Sequence, residues 1–132
     1  MRIHESIDEN LLREYSAVVL AYIGDAVFEL MVRTHVVAKG NRKVKDIHHA
    51  TVEKVKAESQ AKVIRQIFDE LTDEEKDIVI RGRNAKTTPP KHSDPGDYKM
   101  STGFEALLGY LYLKGDEERL NYLFKRALDS EG

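Results

Sequence analysis

The chain has 132 residues, the length of one ordinary domain, and its 41% apolar and 33% charged residues with only 8 Gly and 3 Pro exclude a disordered tail or a fibrous chain. Its 21 Lys and Arg stand against 23 Asp and Glu, a net charge of -2, which excludes a uniformly basic coat for nucleic acid, so any basic surface must be local. The absence of cysteine excludes a disulfide framework, a thiolate metal site and a cysteine nucleophile, and is compatible with a reducing compartment.

The first ten residues, MRIHESIDEN, hold no apolar run of the kind a secretory signal needs, so a cytoplasmic location is expected. Ser6 and Glu9 have capping-box spacing, and from Leu11 to Met31 apolar residues recur at three- and four-residue steps. This pattern predicts a helix to about Lys39, with Gly24 as the place for a kink and Gly40 as its left-handed end. The stretch from Tyr15 to Ala38 is apolar enough to raise the question of a membrane span. Asp25, Glu29 and Arg33 near its middle would each cost about 2.5–3.5 kcal/mol there, so it is a core helix and no membrane is expected.

From Val44 to Leu71 the helical period continues, as one helix or two, and Thr72 with Glu75 forms a second capping box opening a short helix toward Asn84. All three prolines fall between Pro89 and Pro95, which predicts a loop over about 85–98. A helix through Met100, Phe104, Leu107 and Leu111 follows, closed by Gly115. Asp116 then caps a last helix carrying Leu120, Leu123, Phe124 and Leu128. With no alternating run, repeat or second domain in the pattern, residues 1–132 are expected to form a single all-α domain.

Charge is unevenly divided. Residues 41–66 carry seven Lys or Arg against Asp46, Glu53 and Glu58, and residues 81–99 carry five against Asp94 and Asp97. In the second segment Arg81, Arg83, Asn84 and Lys86 lie where a helix end runs into the loop, suited to phosphate and sugar oxygens. The histidines suggest no site: His48 and His49 are adjacent and point to different helix faces, and His4 and His92 fall in segments expected to be flexible.

Two carboxylates stand in apolar stripes, Asp25 after Gly24 and Glu105 between Phe104 and Ala106. A buried carboxylate must meet a cation, donors or a metal. Taken singly, each is open to explanation as a helix-packing ion pair, as Glu29 is with Arg33 four residues on. Neither Asp25 nor Glu105 has a cation at those spacings. Together they suggest an oxygen-ligand site for a hard cation such as Mg²⁺.

The run Leu20-Ala21-Tyr22-Ile23-Gly24-Asp25-Ala26 resembles the signature of the ribonuclease III endonuclease domain, and Phe104-Glu105-Ala106-Leu107-Leu108-Gly109 resembles its second acidic motif. With Arg81-Gly82-Arg83-Asn84-Ala85-Lys86 and Tyr110-Leu111-Tyr112-Leu113, the chain is similar to the Mini-ribonuclease III branch, which consists of the catalytic domain alone. The resemblance implies an all-α, ribonuclease III endonuclease-domain-like helical bundle. It implies Mg²⁺-dependent hydrolysis of double-stranded RNA, with Mn²⁺ able to substitute, and Asp25 and Glu105 as catalytic metal ligands. Products with 5′-phosphate ends are implied, as are RNA contacts from Arg81, Arg83, Asn84 and Lys86 and a precursor of large-subunit (23S) ribosomal RNA as substrate. A two-fold homodimer is also implied, with Tyr22 at its interface, whereas helical spacing alone would put Tyr22 in the core.

The sequence departs from the wider family at Ala21 and Thr102, where ordinary ribonuclease III has a Glu and an Asp. That departure keeps a second reading alive: an inactive RNA-binding or ribosome-associated scaffold with the same fold. A plain protein-interaction module would explain the stripes but not the Arg-Gly-Arg-Asn segment.

Overall fold

The structure, a computed structural model, describes residues 4–130. Among the described residues seven α-helices follow one another: α1 (Glu9–Leu12), α2 (Ala17–Ala38), α3 (Val44–Val55), α4 (Ala57–Ile67), α5 (Asp73–Asn84), α6 (Pro95–Lys114) and α7 (Glu117–Ser130). A single 3₁₀ turn, Phe68–Glu70, extends α4, and there is no strand among the described residues.

Helix α6 is the axis of the bundle. Residues on every side of it are buried, from Ser101 through Phe104, Leu107 and Leu108 to Tyr110 and Tyr112, so it is wrapped rather than faced. Helices α2, α5 and α4 pack directly on it, and α7 closes the end where Phe28 meets the rings of Phe104 and Phe124 edge-on at 5.3 and 6.0 Å. No described helix is long and apolar enough to cross a membrane.

Capping accounts for most of the boundaries. Thr72 and Glu75 form the expected reciprocal box, with Thr72 Oγ1 accepting from the Glu75 amide at 3.1 Å and the Thr72 amide donating to Glu75 Oε1 at 2.9 Å. Gly115, at φ 87°, gives α6 its left-handed end. The N-terminal expectation is corrected: Asp8 is the N-cap of α1, its side chain accepting from the Asn10 amide at 2.9 Å, and the helical run breaks after α1. Ser16 then caps α2 through the Val19 amide at 3.1 Å. Lys56, with extended backbone, divides the 44–71 stretch into α3 and α4. The loop ends earlier than expected, at Asp94. This residue caps α6 through the Asp97 amide at 2.8 Å, and Pro95, which needs no amide partner, takes the first helical position. His4 is docked on the bundle, its ring 3.0 Å from the Tyr112 carbonyl oxygen and packed at a tilt on the Tyr112 ring at 4.7 Å.

Gly24 allows α2 and α6 to touch. A Cβ built there would lie 1.7 Å from the Glu105 carbonyl oxygen, and one on Gly109 would lie 1.9 Å from that of Leu20. The two backbones are therefore in contact at a crossing that no larger residue allows, and the same crossing brings Asp25 to Glu105.

Candidate active site

Beside the α2–α6 crossing is an open cleft of about 500 Å³ whose walls include Ala21, Tyr22, Asp25, Thr87, Thr102 and Glu105. It gathers both carboxylates singled out in the sequence together with Ala21 and Thr102. One expectation is corrected. Only Glu105 is partly sequestered, whereas Asp25 is exposed at the mouth of the cleft. The apolar neighbours of Asp25 in sequence belong to other faces of α2, and its own face opens to solvent. Glu29 and Arg33 make the expected pair at 3.3 Å.

Burial pushes the Glu105 carboxyl up to about 8, and the Asp25 carboxylate adds to this by accepting a hydrogen bond from the protonated form and repelling the ionised one. The Gln60 amide works weakly the other way, its Nε2 donating to Glu105 Oε2 at 3.2 Å. Without a cation, therefore, Glu105 holds its proton to higher pH than an ordinary carboxyl. Two facing carboxyl groups with no Lys, Arg or His lining their cleft among the described residues are a donor set for a hard divalent ion, which would replace that proton and relieve the repulsion. Asp25 and Glu105 are the residues that would hold it.

No third Asp, Glu or His joins them in a metal-binding group among the described residues. Ala21 and Thr102 are buried, and the Thr102 hydroxyl donates to the Tyr98 carbonyl of its own helix at 3.0 Å. Mg²⁺ tolerates such a small number of protein ligands because it keeps several waters.

The basic segment does not form one surface. Arg81 Nη2 donates to the Tyr15 carbonyl at 2.7 Å, tying α5 to the turn before α2, and Arg81 lines a different hollow with Asp73, Glu74 and Asp77. Arg81 is thus engaged within the fold. Arg83 and Asn84, linked to each other at 3.1 Å, line another cleft, of about 450 Å³, with Arg65 and Lys99. Arg65 also pairs with Asp97 at 2.7 Å. Lys86 is exposed at the start of the loop, and Thr87 reaches the acidic cleft. Tyr22 is 82% exposed, not part of the core, and Val18 and Val19 near it are also exposed.

Reading the sequence overlooks Gln60, Arg65 and Tyr98. Gln60 has a signal, being polar on the buried stripe of α4 with Ala61, Ile64 and Ile67. Tyr98 also has one, standing four residues before Thr102 and seven before Glu105 on one face of α6, whereas Arg65 has none, since only the packing of α4 near the first turns of α6 brings it to the cleft it shares with Arg83 and Lys99.

Residues 18–116 match the family described as Ribonuclease III domain. Among curated proteins, the Mini-ribonuclease 3 of a Thermoanaerobacter species is 52% identical over 86% of this chain and 80% of its own length. That of Symbiobacterium thermophilum is 46% identical over 83% of this chain and 85% of its own. A crystal structure of a Fusobacterium nucleatum protein superposes with a TM-score of 0.82 at 30% identity, covering 91% of this chain and 97% of that one. The family uses divalent metal ions and acts on double-stranded RNA, which accords with a cleft holding two cation-free carboxyl groups beside separate basic residues. A domain match across most of the chain, relatives of similar length and the acidic pair on α2 and α6 lead to one conclusion: the chain belongs to the ribonuclease III family and is an endoribonuclease.

Proposed function

We propose that the protein cleaves double-stranded RNA in a Mg²⁺-dependent reaction, with Mn²⁺ able to substitute, and that it works in the cytoplasm as a homodimer on a precursor of large-subunit ribosomal RNA. The observation that carries the reading is the meeting of Glu105 with Asp25 in an open cleft whose lining, among the described residues, holds no Lys, Arg or His, an arrangement that raises the Glu105 carboxyl. A divalent ion bound there supplies the positive charge that phosphodiester hydrolysis needs at its attacking and leaving oxygens.

Asp25 and Glu105 hold that charge on the rigid α2–α6 crossing, so the site needs little rearrangement. Arg83, Asn84, Arg65 and Lys99 grip phosphates beside the reacting bond, and Lys86 extends the grip along the loop. Duplex RNA suits such a set, since it is recognised through shape, phosphates and 2′-hydroxyls. The exposed apolar residues Val18, Val19 and Tyr22 are the surface on which a second copy would pack. A two-fold dimer would present one cleft to each antiparallel strand. The loop before α6 sends Thr87 into the cleft and so is placed to bias which base-pair contexts are cut.

The test is incubation with long duplex RNA, first with Mg²⁺ and then with excess chelator. Cleavage that stops on chelation, with 5′-phosphate ends on the fragments, is expected. Intact RNA under both conditions, with binding retained, would favour the scaffold reading, which draws its support from Ala21 and Thr102.

A further inference from the structure

Gln60 is 2% exposed, on the face of α4 that packs against α6. Its Nε2 group makes two hydrogen bonds, to the Val55 carbonyl at 2.7 Å and to Glu105 Oε2 at 3.2 Å. Both amide protons have acceptors, and this fixes which way the side chain is turned. Its other end is less well placed: Gln60 Oε1 is buried and accepts from no protein group among the described residues. A residue chosen for stability alone would be apolar here, because an orphaned carbonyl inside a helix interface is unfavourable and the neighbouring stripe residues Ala61, Ile64 and Ile67 are apolar.

We infer that Gln60 is a positioning residue for the cation site, holding the Glu105 carboxylate in place with a neutral donor. This rests on the reading that Asp25 and Glu105 bind a divalent ion. The identity of the side chain follows from its role. A carboxylate lying partly under packed helices needs a donor to fix its orientation, yet Lys or Arg at that distance would neutralise it and compete with the metal. An amide orients without neutralising. The Val55 carbonyl anchors the amide in turn, so the end of α3 is linked to the site through one side chain.

The experiment compares Gln60→Met, which keeps length and burial but removes both donors, with wild type and Asp25→Asn. Mn²⁺ binding is measured by calorimetry without RNA, alongside thermal unfolding of the metal-free proteins. Wild type is expected to bind and Asp25→Asn to bind far more weakly, and a wild type that binds no Mn²⁺ overturns the reading of the site itself. Gln60→Met is expected to weaken Mn²⁺ binding about tenfold or more, the usual consequence of losing a group that orients a ligand. Its metal-free melting temperature should stay near that of wild type, the removal of a buried amide carbonyl being set against the donors lost to the Val55 carbonyl and Glu105. Wild-type Mn²⁺ affinity in Gln60→Met, whatever its melting temperature, overturns the inference and leaves the site standing. A second measurement covers failure of that variant to fold: in wild type, the ¹⁵N side-chain amide signal of Gln60 should move as Mg²⁺ is added. A signal that stays in place at saturation also overturns the inference.

Discussion

Glu75 and Glu105 are both glutamates set into helix interfaces of the same bundle, and they have opposite surroundings. Glu75, 5% exposed, accepts from Arg119 Nε and Nη2 at 2.8 and 2.7 Å and from the Thr72 amide, which together hold its carboxyl below the usual range despite burial. Glu105 meets one amide and another carboxylate, and its carboxyl is raised. The first is finished by the protein: charge, cap and counter-ion are all supplied within the fold. The second is left incomplete, and a fold that can build the first arrangement is not forced into the second by any shortage of arginines. The contrast separates a structural carboxylate from one kept for a ligand.

The largest effect that would sharpen this contrast is on catalysis. Asp25→Asn and Glu105→Gln should each lower duplex cleavage by more than about 100-fold, beyond the range for loss of a merely supporting group, while circular dichroism and oligomeric state stay unchanged. Unchanged turnover in either variant breaks the assignment. The converse substitution, Arg119→Met, should cost about 3 kcal/mol in denaturant unfolding, because it strands a buried carboxylate, and should leave cleavage per folded molecule near wild type. A loss of activity without loss of stability would show that the Glu75 site is not purely structural.

The two glutamates should also give stability opposite dependences on pH, in different windows. For Glu105 the folded pKa, about 8, lies above the ordinary value of 4.5, so its contribution is fully present below 4.5 and is lost as pH rises toward 8. For Glu75 the folded pKa lies below 4.5, so its contribution is present above that value and is lost as pH falls through the folded pKa. Metal-free protein titrated by urea unfolding should therefore weaken from about pH 5 to about pH 8 by up to about 1.4 kcal/mol per pH unit from Glu105. Glu105→Gln should remove that slope and leave the acid-side loss in place. An equal slope in Glu105→Gln would mean the raised carboxyl lies elsewhere.

How much of this is legible in the sequence depends on whether the deciding interaction is local. The Thr72–Glu75 box and the Gly115 stop are interactions within one turn, and the structure has both where the pattern predicts them. The start of α6 is equally local, yet Asp94-Pro95 reads with the other prolines as loop, although Pro at the first helical position is favourable. Gly24 reads as a kink, whereas it is a point of close approach whose reason is the Glu105 backbone, 81 residues on in the chain. The two acids can be paired through their motifs, but the exposure of Asp25 and of Tyr22 cannot be read that way. An apolar stripe does not reveal which of its edges another helix covers.

The smallest expected effect concerns the basic residues, where the same contrast recurs between a cation the fold uses and cations it leaves available. Arg81 has a backbone carbonyl at 2.7 Å and belongs to the first kind. Arg83, Lys86 and Lys99 belong to the second, as exposed or cleft-lining groups that form no ion pair among the described residues, whereas Arg65 is half-committed through Asp97. Removing one cation from the phosphates should flatten the log–log dependence of duplex affinity on salt by something under about one unit. Arg83→Ala with Lys99→Ala should therefore reduce that slope by between about one and two units, with cleavage of saturating RNA changed less than binding. Arg81→Ala should leave the slope alone and appear instead as reduced stability, because its guanidinium ties α5 to the Tyr15 turn and its removal leaves that carbonyl a poorer partner. A slope change in Arg81→Ala equal to that in Arg83→Ala would place the duplex across both faces of α5, and would mean that commitment to a backbone carbonyl does not withdraw an arginine from the substrate.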